Sequence, residues 1–488
     1  MTDDAVVIGD TPLALHDVID VARGRRSVRL APGARERMTR SRDVALEIAR
    51  RGDAVYGMTR GVGVRKRVVV DPFADPAYER SLVLDHRSGQ GPAVDAEVVR
   101  ATMLCLANNL ARGYAGVRPE LVDRILSRLD GDDLPAVRLY GAVGQGDVVP
   151  LADLAVGLFP DEELEVKEGL SLVNSNAFST ALSCLALDEA DRLLRVLVVA
   201  AALDLEAFRA NLSTLDPAVP ASRPYPGLAW AVDGLRAALD GSALWETGAA
   251  RNLQDPLSFR NAAPILGSAR DLLAFALTQL AIELSSSQEN PLVLVDEQRA
   301  LAVPNYELLP LAAALDVARI AVAPLLSTQL ERLLKLLQAP FTGLTDGLGP
   351  PEDPRHSGLS EVTWTAQAIA TEARLLADPV SVVTASSTQA EGIEDRITMA
   401  PLGARRLREM VALGDRLAAL ALVVACQAIE LRGASAPLGP FARDAFAAVR
   451  ECVAFVDAGR RLPDTIEPLV SSIRNGAIAR LAVSATQP

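Results

Sequence analysis

The chain carries a glycine-rich stretch at residues 141–151, which reads Gly141-Ala142-Val143-Gly144-Gln145-Gly146-Asp147-Val148-Val149-Pro150-Leu151. Three glycines within six residues permit positive φ angles and close backbone approach, so a tight turn is predicted. Asp147 is placed to cap a following helix, with Pro150 in the first turn of that helix. The stretch therefore predicts a backbone that folds tightly on itself and then enters a helix.

Aromatic residues make up only 4% of the 488 residues, although hydrophobic residues make up 50%. The interior must then consist mostly of Ala, Leu and Val, which favours closely packed helices over a β-sandwich. The formal charge is −13, from 49 basic and 62 acidic side chains, and no long basic run occurs. This charge balance disfavours a nucleic-acid partner.

Four cysteines lie far apart without a Cys-x-x-Cys pair, and the three histidines are scattered. These patterns predict buried thiols in a reducing compartment and no metal site. The acidic residues 1–4 lack the charged and then apolar form of a signal peptide. Charge-free apolar runs such as Leu417–Ile429 are shorter than the roughly 20 residues of a membrane span. We expect a cytoplasmic protein without membrane contact.

Long segments with apolar residues at i, i+3, i+4 and i+7 dominate the chain from residue 175 onward. They predict a mainly all-α fold, in which a long-helix bundle (176–488) follows a smaller mixed N-terminal portion (1–175). That portion carries a short β-prone piece at 5–8. The wide Ala-rich apolar faces predict a homo-oligomer. Predicted helices are 77–115, 118–130, 175–212, 228–240, 262–289, 308–337, 359–377, 403–432 and 440–457.

The glycine-rich stretch resembles a segment of the histidine/phenylalanine (aromatic amino acid) ammonia-lyase family, Gly-Ser-x-Gly-Ala-Ser-Gly-Asp-x-x-Pro-Leu. In that family Ala-Ser-Gly cyclises and dehydrates to the electrophile methylidene-imidazolone (MIO). Here the corresponding stretch is one residue shorter than the family segment, and Gln145-Gly146 stands where Ala-Ser-Gly is expected. The comparison predicts that MIO is absent and that no cofactor is used. Gln145 would either hydrogen-bond a substrate or fill the space.

A second segment, Tyr56-Gly57-Met58-Thr59-Arg60-Gly61-Val62-Gly63, resembles the family's Tyr-Gly-Val-Asn-Thr-Gly-Phe-Gly loop. The resemblance implies that Tyr56 is the catalytic acid or base on a mobile inner loop. A tyrosine hydroxyl has a reference pKa near 10, so it acts as a base near neutrality only if its surroundings lower that value. Arg60 is the expected source of the lowering charge and lies among the predicted substrate-binding residues.

Two further matches carry predicted pocket residues. His86, in Leu84-Asp85-His86-Arg87-Ser88-Gly89-Gln90-Gly91, resembles the family's pocket histidine in Ser-His-x-x-Gly-x-Gly. Asn174, in Leu172-Val173-Asn174-Ser175-Asn176, matches Leu-Ile-Asn-Gly-Thr, whose amide touches the prosthetic group or the substrate amine. A structural histidine and a helix cap are the alternatives.

Gln254-Asp255-Pro256-Leu257-Ser258-Phe259-Arg260 resembles the family's Gln-Asp-x-Tyr-Ser-x-Arg. The resemblance implies that Arg260 grips a substrate carboxylate, a task suited to its planar fork of donors. Leu257 replaces the tyrosine of the family and removes a hydroxyl from the predicted pocket. The alternative for Arg260 is a buried salt bridge with Asp255 or another acid.

Later segments follow the same pattern. Ser287–Leu292 matches Asn-Ser-x-x-Asp-Asn-Pro-Leu and is predicted to be a structural helix end and turn. Tyr306 stands at the phenylalanine of Gly-Asn-Phe-His and is predicted to bind substrate. Glu394 retains the acid of Asn-Gln-Glu-Asp-His-Val-Ser-Met, whereas Arg396 replaces the histidine. Glu394 is therefore predicted to hold an amine or take a proton, with a surface ion pair as the alternative.

The order of these segments, over roughly residues 10–435, is what identifies the resemblance. It implies the helical ammonia-lyase, fumarase-aspartase-like fold and a homotetramer whose active sites combine three subunits. Without the electrophile, the favoured prediction is an enzyme that performs acid–base elimination, addition or cyclisation on a small carboxylate-bearing molecule. The alternatives are a catalytically inactive relative with a binding or structural role and, third, a conventional amino acid ammonia-lyase.

Overall fold

The computed structural model describes residues 5–75, 77–353, 355–383, 389–433 and 437–486. The acidic residues 1–4, on which the signal-peptide prediction depended, lie outside this part of the chain. The chain divides into two compact units. The first unit comprises Met1–Asp188, Ala276–Asp316 and Pro379–Arg405, and the second comprises Glu189–Phe275, Val317–Asp378 and Arg406–Pro488. We predicted a boundary after residue 175, which divides the chain by sequence position alone. Each of the two units instead combines three segments of the chain, so the predicted boundary stays a prediction.

Helices make up most of the described residues, and the longest of them run nearly as predicted. Ala177–Phe208 corresponds to predicted 175–212, and Leu309–Leu336 to predicted 308–337. The remaining long helices from residue 200 onward are Pro226–Ala238, Ala262–Ser285, Val362–Leu375, Ala400–Leu431, Pro440–Cys452, Glu467–Asn475 and Ala477–Thr486.

The N-terminal portion mixes short strands with helices, as predicted. Strand Val6–Ile8 pairs in parallel with Val28–Leu30, and Gln90–Ala93 pairs antiparallel with Arg138–Tyr140. A third pair, which is antiparallel and lies later in the chain, joins Leu292–Leu294 to Arg299–Leu301. The helices are Leu15–Ala22, Pro32–Arg51, Tyr78–Asp85, Ala96–Ala111, Pro119–Leu129, Val148–Leu158 and Glu168–Val173.

The continuous helix predicted over 77–115 is wrong. The segment forms helix Tyr78–Asp85, strand Gln90–Ala93 and helix Ala96–Ala111. Gly91 has a φ of +85°, a conformation that L side chains rarely adopt and that a helix does not contain. The glycine therefore separates two helices whose apolar periodicity looks continuous in the sequence.

A small apolar cluster positions the Tyr56 loop in the first unit. Val55 and Met58 are buried in this cluster with Ile48 of helix Pro32–Arg51 and Val293 of a β-strand. Met58 is fully buried. Because Val55 and Met58, on both sides of Tyr56, are anchored in this cluster, the backbone at Tyr56 is held in place.

Four helical segments are long and apolar enough to cross a membrane by length and composition: Glu168–Phe208, Ala262–Ser285, Leu309–Leu336 and Ala400–Leu431. The most apolar window of the first is 94% buried in the protein, whereas that of Ala262–Ser285 is 33% buried. The first segment is therefore an interior helix, whereas Ala262–Ser285 has a smaller share of fully buried residues. The absence of membrane contact stays a prediction.

All four cysteines are free thiols. Cys105, Cys184 and Cys426 are buried, and Cys452 is partly buried. Within the described residues, no group of three or more His, Cys, Asp or Glu side chains is arranged to hold a metal ion.

Candidate functional site

The glycine-rich stretch forms a tightly enclosed turn in the first unit. Gly144 and Gly146 both have a φ of +71°. A Cβ on Gly144 would lie 2.4 Å from the Thr398 hydroxyl oxygen, and one on Gly146 would lie 3.0 Å from the Asn174 amide oxygen. The Val143 carbonyl accepts hydrogen bonds from the backbone N–H groups of Thr398 (3.2 Å) and Met399 (2.9 Å). Glycine is therefore needed at both positions, for conformation and for space.

Asp147 does not cap the helix that follows it. The carboxylate accepts hydrogen bonds from the Ser179 backbone N–H at 2.7 Å and the Ser179 hydroxyl at 2.9 Å. Ser179 lies in the first turn of helix Ala177–Phe208, so Asp147 satisfies a free N–H of that helix instead of Val148–Leu158. Complete burial raises the pKa of Asp147 to about 6, against the opposing effect of the Ser179 hydrogen bonds.

Gln145 is held by a charged pair that the sequence did not predict. Its Nε2 donates to Glu307 Oε2 at 3.3 Å. Arg396 donates to the same carboxylate, from Nε to Oε2 at 3.0 Å and from Nη2 to Oε1 at 3.3 Å. Burial alone would raise the pKa of Glu307, but the bonds from Arg396, the Leu309 N–H and Gln145 lower it below its ordinary value. Glu307 is therefore an ionised acceptor that joins Gln145 to Arg396.

The other side of the Gln145 amide is unpaired. Gln145 Oε1 is buried from solvent and has no hydrogen-bond partner among the described residues. Most buried polar atoms in proteins do have such a partner. An amide oxygen accepts up to two hydrogen bonds, so this atom retains its full capacity for an added donor.

Tyr56 accepts a hydrogen bond from the Gly63 N–H at 2.9 Å, across the inner loop. Burial raises the pKa of Tyr56, the Gly63 bond opposes this, and the charges of Glu394 and Tyr306 raise it further. The expectation that Arg60 lowers this pKa is wrong, because the Arg60 guanidinium instead donates to the Thr59 carbonyl at 2.8 Å. Tyr56 is therefore a protonated phenol at neutral pH.

Tyr306 and Glu394 lie close enough to Tyr56 to influence its ionisation. Burial also raises the pKa of Tyr306, and the negative charges of Glu394 and Glu307 add to this. Glu394 itself is exposed. The structure thus brings Tyr56, Tyr306 and Glu394 together in the first unit, although the first two are 250 positions apart in the sequence.

Asn176 connects the glycine turn to Tyr306, a role that the sequence did not reveal. Its Oδ1 accepts from the Gly146 N–H at 2.8 Å, and its Nδ2 donates to the Tyr306 carbonyl at 2.8 Å. The neighbouring Asn174 donates from Nδ2 to the Asn290 carbonyl at 2.9 Å. Asn174 is at the same time the C-cap residue of helix Glu168–Val173. The feature of the sequence that could have indicated this role of Asn176 is that Ser175-Asn176 replaces the family's Gly-Thr.

His86 makes a local contact at the end of helix Tyr78–Asp85. Its Nδ1 lies 2.8 Å from the Leu82 carbonyl, which can only accept, so this nitrogen carries the proton. In the neutral ring Nε2 is then an acceptor. The assignment of His86 to a substrate pocket stays a prediction.

Arg260 and Leu257 lie in the second unit, on the short helix Leu257–Arg260. Arg260 Nε is buried and has no hydrogen-bond partner within the described chain, and Leu257 is 60% exposed. Asp255 instead accepts from the Asn211 N–H at 2.6 Å and from Asn252 Nδ2 at 3.0 Å. The alternative of an Arg260–Asp255 salt bridge is therefore not realised.

Ser287–Leu292 follows the end of helix Ala262–Ser285, as predicted, and leads into strand Leu292–Leu294. Asn290 anchors the segment: its Oδ1 accepts from the Val303 N–H at 2.9 Å. Glu289 forms a buried ion pair with Lys167 at 2.7 Å and accepts a hydrogen bond from Ser171 at 2.8 Å. The segment thus has a structural role in the first unit.

The aromatic amino acid lyase family model matches residues 13–164 and 157–451 of this chain. The histidine ammonia-lyase of Symbiobacterium thermophilum is 32% identical over 510 residues, which cover 99% of each chain. That of Gloeobacter violaceus is 31% identical, over 97% of this chain and 96% of its own. The chain belongs to the aromatic amino acid lyase family.

Solved structures of similar proteins share the fold. Ergothionase from Treponema denticola, an ergothioneine degrading enzyme, is 27% identical with a TM-score of 0.89 and 99% coverage of both chains. Tyrosine aminomutase from Streptomyces globisporus has a TM-score of 0.91 at 24% identity, also with 99% coverage of both chains. The predicted helical ammonia-lyase fold is thereby confirmed. Aromatic amino acid lyases normally use an MIO group formed from their own chain.

Proposed function

We propose that this aromatic amino acid lyase family member is an MIO-independent enzyme. It would catalyse acid–base elimination, addition or cyclisation on a small carboxylate-bearing molecule. The observation that carries the proposal is the grouping of Tyr56, Tyr306 and Glu394 in the unit that also holds the serine-free turn.

The residues of the turn do not fit the MIO group. Formation of the group requires a serine that loses water between two small residues, and residues 141–147 contain no serine. Gln145 occupies the equivalent place, and its side chain is bound to Glu307. The Gly146 N–H, part of the same backbone, donates to Asn176. We therefore assign no step to an electrophile at this turn.

Tyr56 is the proposed proton donor. Its raised pKa keeps the hydroxyl protonated at neutral pH, and the Gly63 N–H fixes the oxygen. A phenol in this state can protonate a leaving group or a developing carbanion. The nearby carboxylate of Glu394 is the proposed proton acceptor. With Tyr56 as proton donor and Glu394 as proton acceptor, the site suits substrates whose own proton is acidic or whose leaving group departs readily.

Arg260 is the proposed carboxylate-binding residue. Its motif matches the family segment, and its Nε lacks a protein partner within the described residues. Arg60, His86, Asn174 and Tyr306 remain proposed substrate-binding residues, while Leu257 would remove one polar contact from the pocket.

We also propose a homotetramer located in the cytoplasm. Helix Ala262–Ser285 exposes Leu272 (39%), Phe275 (46%) and Ile282 (54%). Large apolar side chains in one exposed stripe favour contact with another protein surface, and a second copy of this chain is the occupant that the family resemblance implies.

The deciding experiment is a screen of the purified protein against carboxylate-bearing metabolites, with loss of substrate followed by mass spectrometry. L-histidine, L-tyrosine and ergothioneine belong in the panel because the similar proteins carry those names. A saturable reaction that Tyr56→Phe abolishes is the expected result. Saturable turnover that survives Tyr56→Phe would remove Tyr56 from the mechanism.

A second candidate function is a catalytically inactive binding protein. The observation that favours it is the ion pair between Arg396 and Glu307. Arg396 stands at the position of the family's histidine, and its charge is engaged in this pair. This candidate predicts saturable ligand binding without turnover of any metabolite.

A further inference from the structure

A lysine joins the loop that carries Tyr56 to the segment that carries Glu394. Lys66 Nζ donates to the Glu391 carboxylate at 2.8 Å and to the Ala390 carbonyl at 3.2 Å. The lysine side chain is only 18% exposed. Both contacts lie within the first unit, although Lys66 and Ala390 are 324 positions apart in the sequence.

The backbone on the lysine side is tied to the Tyr56 hydroxyl. Gly63 donates its N–H to the Tyr56 oxygen at 2.9 Å. Its carbonyl accepts from the Lys66 N–H at 3.2 Å, across the 3₁₀ turn Gly63–Arg65. A Cβ on Gly63 would lie 3.7 Å from the Ala390 Cβ, so the two segments approach each other closely here. Lys66 is therefore one turn away from the group that fixes the hydroxyl.

The backbone on the other side of the contact is strained. Ala390, Glu391 and Gly392 have φ angles of +52°, +61° and +78°, and together they form a left-handed turn. L side chains rarely adopt this conformation, and it persists only where surrounding contacts hold it. Lys66 supplies a contact to a carbonyl and another to a carboxylate of this turn. Glu394 follows the left-handed turn by two residues.

The carboxylate of this contact is ionised. The hydrogen bond and charge of Lys66, together with the charge of Arg67, lower the pKa of Glu391. Arg67 Nη1 also donates to Glu391 Oε2, at 3.0 Å, but the arginine side chain is 78% exposed. Solvent and salt screen an exposed pair more than a covered one, so Lys66 makes the stronger of the two contacts.

Resting on the function proposed above, we infer that Lys66 is a positioning residue that holds the Tyr56 loop against the left-handed turn and so sets the separation of Tyr56 from Glu394. It acts through Gly63 on the proposed proton donor, and through residues 390–392 on the proposed proton acceptor. A fixed separation matters because both groups must reach the same bound molecule in one geometry.

The test measures hydrogen–deuterium exchange of the full chain by mass spectrometry, without any substrate. Lys66→Met keeps the length of the side chain and removes its charge, so exchange over residues 57–70 and 390–398 should quicken about 3- to 10-fold. Lys66→Arg retains a cationic donor and should stay within about twofold of wild type. Lys335→Met breaks another lysine–glutamate pair, with Glu331 in the second unit, and should leave both segments unchanged.

A second variant separates this role from general packing. Glu391→Gln removes the charge of the other partner and should quicken exchange of the same two segments. Adding Lys66→Met to it should have little further effect, because the two side chains form one contact. The midpoint of urea denaturation should change little, since local opening does not require global unfolding. With the substrate that the metabolite screen identifies, Lys66→Met should lower kcat and leave KM nearly unchanged.

Unchanged exchange in Lys66→Met would overturn the inference, as would equal acceleration in Lys66→Arg. Acceleration confined to residues 390–398 would show that Lys66 stabilises only the left-handed turn, and would overturn it as well. Additive effects of Lys66→Met and Glu391→Gln would show that the two side chains act independently. Failure of the catalytic proposal is distinct from these outcomes, because it appears as absence of turnover and leaves the exchange rates as expected.

Discussion

Arg396 holds Glu307 by two parallel hydrogen bonds, of 3.0 Å from Nε to Oε2 and 3.3 Å from Nη2 to Oε1. Two-point contact between a planar guanidinium and a carboxylate fixes direction as well as distance. Because the same carboxylate receives the Gln145 amide, the pair controls the side chain at the turn from which relatives build their electrophile. Arg396 thus takes on a positioning role where the family has a histidine.

Loss of the Tyr56 hydroxyl should abolish catalysis while the fold remains. Proton transfer by a positioned side chain typically contributes 10²–10⁴-fold, so Tyr56→Phe should lower kcat by about that factor. The hydroxyl accepts one hydrogen bond from Gly63, and its removal should cost about 0.5–1.5 kcal/mol of unfolding free energy. Steady-state kinetics and urea denaturation measure the two effects. Tyr225→Phe, at a 55% exposed residue, is the control for both.

The mature protein should have the mass calculated from its sequence. Formation of an MIO group removes two waters from the chain, and the turn lacks the serine from which the group is made. Intact-protein mass spectrometry measures the difference directly. A species lighter by two waters would contradict the proposed mechanism and point to a conventional ammonia-lyase.

The carboxyl group of Asp147 should make stability depend on pH. Its pKa is raised from 3.8 to about 6 by burial, so the folded protein binds this proton more tightly than the unfolded chain does. Its contribution to stability is complete below about pH 4 and is lost as the pH rises through 6. The loss should reach up to about 3 kcal/mol, since one pKa unit corresponds to about 1.4 kcal/mol.

Asp147→Asn removes this titration and isolates its effect. The difference in unfolding free energy between wild type and variant should shift in favour of the variant as the pH rises from 4 to 6. Urea denaturation at several pH values provides the measurement. Asp130→Asn changes an exposed carboxylate in the same unit and serves as control. A pH-independent difference for Asp147→Asn would show that the carboxylate does not titrate as described.

The buried Lys167–Glu289 pair should be essential to the stability of the first unit. Both side chains are almost completely buried, and Lys167 Nζ lies 2.7 Å from Glu289 Oε1. Removing one partner leaves a buried charge without compensation, so Lys167→Met should cost about 3–5 kcal/mol of unfolding free energy. The double variant Lys167→Met/Glu289→Leu should recover part of that loss. If the double variant were less stable than the single one, charge compensation would not be the reason.

The exposed apolar stripe of helix Ala262–Ser285 should mediate self-association. Leu272→Glu combined with Phe275→Glu places two charges where a second copy would bury apolar side chains, so the tetramer should dissociate. Light scattering coupled to size-exclusion chromatography measures the mass. Ser127→Glu adds a charge at an exposed polar position and should leave the mass unchanged. A monomeric wild-type protein would refute the proposed assembly.

Local patterns in the sequence predicted most of the long helices because helix periodicity repeats every few residues. The 32-residue helix Ala177–Phe208 is an example, since its apolar positions recur along its whole length. The same patterns failed at residues 77–115, where a strand that contains Gly91 at a positive φ separates two helices and the apolar spacing alone does not reveal it. Apolar periodicity indicates which side chains are buried, and it does not indicate where the chain turns.

The sequence by itself determined the family and the order of its motifs, and it places Gln145-Gly146 in a glycine-rich stretch, residues 141–147, that contains no serine. These properties depend only on which residues are present and on their order. Tertiary structure decided the partners: Gln145 meets Glu307 across 162 positions, and Asp147 caps the helix of Ser179 rather than its own. Tertiary structure also decided the direction in which the pKa of Tyr56 shifts. Burial raises this pKa, although an arginine lies four residues away in the sequence. Hydrogen bonding and desolvation depend on distances in space, and only the folded chain sets those distances.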